Sequence, residues 1–178
     1  GSTKRNLELT SSLQDGQQEG TLISILDQTV TPMGARLLRK WMMQPLVDRE
    51  QIGLRLNAVE QLLIQHELRR HLQEVMAEMA DMERLISRIS IGRCTARDVV
   101  QLKNSLDQLP TIKSALQEQE EVLLGQIHEG IQLMEPLKER IANTLVEEPP
   151  MGLKDGGLIR EGIHSDLDEL RNIARNGK

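Results

Sequence analysis

The chain has 178 residues, enough to bury a real core, and contains one Trp with no Phe and no Tyr. Its 22 Lys and Arg against 27 Asp and Glu give a net charge of −5, which excludes a chain-wide basic footprint for nucleic acid and leaves any such role indirect or local. The lone Cys94 excludes an internal disulfide framework, and no apolar run approaches the ~20 residues of a membrane span, so a soluble cytoplasmic protein without a membrane partner is expected.

Leu, Ile, Met, Gln, Glu and Arg dominate, all of which lose little rotamer freedom in helices, and this predicts an all-α, multi-helix bundle. Short extended segments are predicted only near the N-terminus and around residues 153–159. Leu7 and Leu9 alternate within Lys4 to Leu13, reading as an opening strand before a polar loop that ends at Gly20, and the sequence leaves open whether Gly1-Ser2 is a cloning remnant. Thr21 to Asp27 makes one or two helical turns. Thr31 then caps the best-defined helix, with Pro32 at its first position, where the missing N–H costs nothing. Met33, Leu37, Leu38, Trp41 and Met42 recur at three- and four-residue steps, so Trp41 is expected to be buried, with Arg36, Arg39 and Lys40 on the other face. Pro45 ends this helix. Asp48, with Gln51 three residues on, begins the next, so that two helices meet at a tight corner.

The helix from Asp48 to about Gln65 carries a stripe of Ile52, Leu56, Val59 and Leu63. Glu67 to Met79 repeats the pattern with Leu68, Leu72, Val75 and Met79. Asp81 reads as the cap of a helix through Met82, Leu85, Ile86 and Ile89 that Gly92 stops. Thr95 and Asp98 form a capping box in its acidic variant, opening a helix with Val99, Leu102, Leu106 and Leu109 in register. Thr111 to Gly130 reads as less regular, and Ile131 to Leu145 as a helix with Pro136 near its start. Asp155-Gly156-Gly157 reads as a tight turn, and a last helix starts after Ser165 with Leu167, Leu170 and Ala174 on one side. That helix is short enough to be marginal without packing, so residues 165–178 are expected to be the least protected helical segment, frayed or held by a second copy.

His66 and His71 are five residues apart, where a helical zinc-protease pair needs four, and a solvated helix face is the better reading. His128 and His164 read as isolated surface residues, and nothing near Cys94 in sequence suggests an activating base. The Asp155-Gly156-Gly157 run lacks the lysine and spacing of a phosphate cradle. The basic faces at Arg36, Arg39 and Lys40 and at Arg69 and Arg70 read as solvated, as does the acidic run from Glu118. The methionines read as core filler. No catalytic, cofactor-binding or metal-binding residue is assigned.

The pattern Leu26-Asp27, Thr29, Thr31, Met33-Gly34, Arg36, Leu38, Trp41, Pro45-Leu46, Asp48, Ile52, Arg55 and Val59 resembles the start of the core, or lever, domain of MutS-family DNA mismatch-repair proteins. Arg5-Asn6-Leu7-Glu8-Leu9 before it, and Thr95-Ala96-Arg97-Asp98 and Asp155-Gly156-Gly157 after it, extend the resemblance over nearly the whole chain. The resemblance implies that residues 1–178 are the first half of a discontinuous helical domain. Residues 1–20 would be an opening strand and loop, 21–146 the helical core, 147–164 a turn region and 165–178 the truncated start of a lever helix. It implies a parent that binds mismatched duplex DNA, forms dimers, binds ATP or ADP with Mg and recruits later repair factors. This segment would couple the DNA clamp to the ATPase without catalysis, cofactor or strong DNA binding of its own. The matched positions would then be structural: Thr31, Pro32 and Gly34 at the helix start, Trp41 in the core, Pro45 and Asp48 at the corner, Thr95 and Asp98 at a later cap. Gly34 within a helix costs about 1 kcal/mol relative to Ala, which suggests a close approach there. A free-standing helical interaction module is the alternative, and the downstream reading frame separates the two.

Overall fold

The computed structural model describes residues 9–10, 19–152, 154 and 156–176. Among these the chain is all-α, as its composition predicts, with one isolated antiparallel bridge between Leu145 and Ile159. The opening strand expected within residues 1–20 lies outside the described residues except at 9–10 and 19–20, and so does Asp155 of the predicted turn. The helices are α1 (Leu22–Leu26), α2 (Pro32–Met43), α3 (Arg49–Ile64), α4 (His66–Ala77), α5 (Met82–Ser90), α6 (Ala96–Leu106), α7 (Leu109–Leu116), α8 (Val122–Gly130), α9 (Glu135–Thr144) and α10 (Ser165–Asn176). They gather into two compact units that interleave along the sequence. The first takes the residues up to Asp81 and then Pro110–Ile131; the second takes Met82–Leu109 and everything after Ile131.

In the first unit α3 packs on α4 and α8. Its buried residues include Ile23, Ala58, Leu72, Met79, Leu116 and Leu124. The predicted stripe of α3 is not the buried one. Leu56 and Leu63 are 62% and 63% exposed, whereas Ala58 is buried and Leu54 and Leu62, four residues either side of it, are half-buried. At about 100° per residue Ala58 lies roughly 200° round from Leu56, so α3 is apolar on two sides and its partners take the narrower one.

Trp41 is a second correction: it is 38% exposed rather than enclosed. The apolar arc of α2 is wider than the surface that covers it, so Leu38 and Met42 turn partly inward while Leu37 and Trp41 remain outside. The region read as irregular, Thr111 to Gly130, holds α7 and α8. Glu121 starts α8 by accepting the Leu124 N–H at 2.9 Å, a weak sequence cue because glutamate is not a favoured N-cap and Gly125 lowers the local propensity. At its far end the Lys113 ammonium donates to the Ile131 carbonyl at 2.8 Å and His128 Nδ1 donates to the Lys113 carbonyl at 2.9 Å, so His128 is half-buried and not a surface residue.

In the second unit α6 packs on α5 and α9, around Leu85, Leu102, Leu106 and Ile141. Gly92, at φ 66°, ends α5 as predicted: its N–H donates to the Ile89 carbonyl at 3.0 Å and the Arg93 N–H to the Arg88 carbonyl at 2.9 Å, the paired bonds of a left-handed helix stop. α9 begins at Glu135 and not at Ile131, because Met134 adopts a left-handed conformation, φ 54°, which interrupts the helical pattern just ahead of Pro136. Buried Lys138 reaches Glu135 at 2.9 Å and Asp107 at 3.7 Å; the Glu135 bond chiefly, against the burial, holds its ammonium above the usual lysine range. After the Leu145–Ile159 bridge, Arg171 anchors α10 by donating to the Ile159 carbonyl at 2.7 Å, and Arg175 pairs with Glu161 at 2.7 Å.

The Thr95–Asp98 capping box is complete. Asp98 Oδ2 accepts the Thr95 N–H at 2.6 Å, Thr95 Oγ1 accepts the Asp98 N–H at 3.2 Å, and Arg88 reaches Asp98 Oδ1 at 2.8 Å. The Thr95 N–H above all, then the Thr95 hydroxyl and the Arg88 and Arg84 charges, outweigh burial and hold the Asp98 carboxyl below the ordinary aspartate range. A depressed carboxyl contributes stability that is present above its unfolded pKa of ~3.9 and is lost as pH falls through the lower folded value. Asp98→Asn is therefore expected to cost about 1–2 kcal/mol near neutrality and to shrink the loss of stability below about pH 4, measured by urea unfolding across pH.

Candidate interaction surface

The residues singled out at the helix corner hold the geometry expected of them. Thr31 Oγ1 accepts the Gly34 N–H at 2.9 Å, Pro32 occupies the first helical position, and α2 stops at Met43 just before Pro45. Asp48 Oδ1 accepts the Gln51 N–H at 3.0 Å and starts α3. A side chain at Gly34 would place its Cβ 3.0 Å from Thr31 Oγ1 and 3.4 Å from Thr29 Cβ, so the close approach is to the cap itself. Thr29 is in turn fixed by Asp27, whose Oδ1 accepts both its N–H at 3.1 Å and its hydroxyl at 2.6 Å.

Above this corner the Arg55 guanidinium lies 3.7 Å from the centroid of the Trp41 ring, so one face of the indole is covered by a cation and the rest remains in contact with solvent. On the same helix Arg36 forms a two-pronged pair with Asp81, both bonds at 2.7 Å. The helical spacing of Arg36, Arg39 and Lys40 predicts one solvated face, but the structure gives Arg36 a specific partner 45 residues on. Arg55, matched only as part of a pattern, is a contact residue that a local reading could not have found, because the spacing of Trp41 and Arg55 across two helices has no sequence signature.

His66, His71 and His164 are exposed, and among the described residues no group of three or more His, Cys, Asp or Glu could hold a metal. Arg70 pairs with Glu67 at 2.6 Å and Glu74 at 3.2 Å along α4, an ordinary solvated helix face. The second unit has an open cavity of about 340 Å³ lined by Val100, Lys103, Ile141, Leu145, Glu147 and Arg160. Its cations are already matched, Lys103 by Asp107 at 2.7 Å and Arg160 by Glu147 at 3.6 Å. What the surface does offer is apolar area: Leu37, Trp41, Leu56, Val59, Leu63 and Ile64 in the first unit, and Leu170 and Ile173 on α10 in the second, are all exposed. Scattered single apolar residues are normal on a surface; these recur at helical spacing along single helices. No described helix is long and apolar enough to cross a membrane.

The family described as MutS domain III matches residues 2–176. The DNA mismatch repair protein MutS of Symbiobacterium thermophilum is 43% identical over 176 residues, 99% of this chain and 20% of the relative. That of Salinibacter ruber is 44% identical over 99% of this chain and 19% of the relative, and that of Macrococcus caseolyticus 43% over 98% and 20%. The chain thus spans about a fifth of the length of the curated relatives it matches.

Because Trp41 is half-covered by Arg55 and bordered by Lys40, its fluorescence is expected to be quenched by iodide and much less by caesium, the anion being drawn in by the surrounding cations. Equal quenching by both ions would remove the cationic setting. Trp41→Ala is expected to cost about 1–2 kcal/mol in urea unfolding, less than the ~3–5 kcal/mol of an enclosed ring.

Proposed function

This chain belongs to the MutS family, through its domain III, and from that premise we propose that it is a non-catalytic core segment of a longer mismatch-repair ATPase, linking the DNA-holding part of that protein to its nucleotide-hydrolysing part. The observation that carries the reading is the match over 99% of this chain to 20% of its relatives. The exposed apolar stripes of α3 and α10 support it, since area of that kind is covered when more of a polypeptide is present. In this reading the parent binds mismatched duplex DNA, uses ATP with Mg, assembles as a dimer and recruits later repair factors, and the fragment contributes stiffness and connection. Short helices whose ends are fixed by side-chain caps, as at Thr31, Asp48 and Thr95, suit a part that passes displacement along without dissipating it in fraying ends.

A free-standing helical interaction module would use the same exposed faces, and the coding frame distinguishes the two. Under the proposed function the frame continues past Lys178 into a clamp and an ATPase with a phosphate loop, whereas a stop codon there would favour the module. The isolated 178-residue chain is expected to show ATP turnover no higher than a blank and equal affinity for a mismatched and a fully paired duplex. Turnover above the blank, or a clear preference for the mismatch, would overturn the assignment of a non-catalytic, non-reading segment.

A further inference from the structure

α2, with the sequence PMGARLLRKWMM, has three cations and no acid, in a chain whose net charge is −5. Leu37 and Trp41, one helical turn apart, form an exposed apolar stripe, and Arg36 and Lys40, each one residue before, form a basic edge beside it. Asp81 takes up the Arg36 charge and Asp27 lies close enough to Arg39 to feel it, but Lys40 forms no ion pair among the described residues. Trp41 is already oriented by Arg55 at 3.7 Å, so little side-chain freedom is lost when a partner covers its open side, and Trp and Arg at the centre of a patch are the residues that carry most binding energy.

We infer that this outer face of α2 seats an acidic amphipathic helix, supplied by the part of the parent polypeptide outside these 178 residues. The inference rests on the proposed function, in which about four-fifths of the protein lies elsewhere in the chain. The occupant's leucine-like stripe lies over Leu37 and the free side of Trp41, and its carboxylates meet Lys40 and Arg39. Opposite charge along the edge sets the register of the docked helix, and the apolar contact supplies most of the affinity. Duplex DNA fits less well. Asp27 and Asp81 stand beside the cations, and one face of the indole, where a base would stack, is occupied by Arg55.

Trp41 is the chain's only aromatic side chain, so a peptide without aromatics leaves it as the sole reporter. The probe is a synthetic helix of roughly 18 residues with leucines at helical spacing and glutamates along one edge, long enough to hold helical structure. It is compared with a copy in which every glutamate is lysine. The acidic peptide is expected to shift Trp41 emission to the blue and protect it from acrylamide, and the lysine copy to do neither. Arg39→Glu with Lys40→Glu is expected to weaken binding about tenfold or more with unchanged circular dichroism. An equal response to both peptides, no response to either, a blue shift that grows with protein concentration alone, or the same response to a duplex DNA would each overturn the inference. For the source, a fluorescein-labelled acidic peptide is expected to bind the 178-residue chain but not the longer chain encoded by the continuing frame; equal binding to both would overturn the assignment to the parent polypeptide. Failure of the peptide arms with an open downstream frame would sink this inference alone. A frame closing at Lys178 would sink the parent reading and with it the source, while the peptide arms would still report whether the face takes an acidic helix.

Discussion

The hydrogen bond that an otherwise unsatisfied N–H of the first helical turn donates to a side-chain oxygen is what the rest of this structure depends on. Helices of five to sixteen residues are marginal alone, and with no Phe or Tyr the chain lacks the large rings that usually hold short helices together. Thr21, Thr31, Asp48, Thr95 and Glu121 each close one such end, at distances from 2.9 to 3.4 Å. Each fixes the direction in which a helix leaves its loop, and the leucines and isoleucines of the core then meet in register. The Asp98 carboxylate adds a second level, because it completes a cap on α6 and also draws Arg88 of α5 against it.

Three of those caps were legible in the sequence because their chemistry is local. Thr31 with Pro32, Asp48 with Gln51, and Thr95 with Asp98 all act within three residues, and the Gly92 stop is local too. α8 was not legible, because its cap is a glutamate and its interior contains Gly125, so neither the start signal nor the propensity pointed to a helix. The left-handed Met134 was equally hidden, since nothing local distinguishes a methionine in that conformation from one continuing a helix.

Burial was the harder question, for a different reason. Spacing reveals that a helix has an apolar side, and the side of α3 carrying Leu56, Val59 and Leu63 is as clean as any, yet the packed side is the one with Ala58. Which of two apolar sides is covered depends on where α4 and α8 lie, which is information held elsewhere in the chain. Trp41 belongs to the same class: its helix, its cap and its neighbours were readable, but its cover is an arginine from the next helix in place of a core. Apolar periodicity reports that a helix side is apolar, not which neighbour covers it.

The interleaving of the two units bears on how the chain emerges during synthesis. The first unit needs Pro110–Ile131, so it stays incomplete while Met82–Leu109, which belong to the second, are being made. While those residues are being made α3 lacks α8, and the side that α8 covers is open to water. The second unit faces the same delay in reverse, since α5 and α6 precede α9 by the length of that intervening return. In the order of synthesis, then, neither unit has all of its residues before the other has begun.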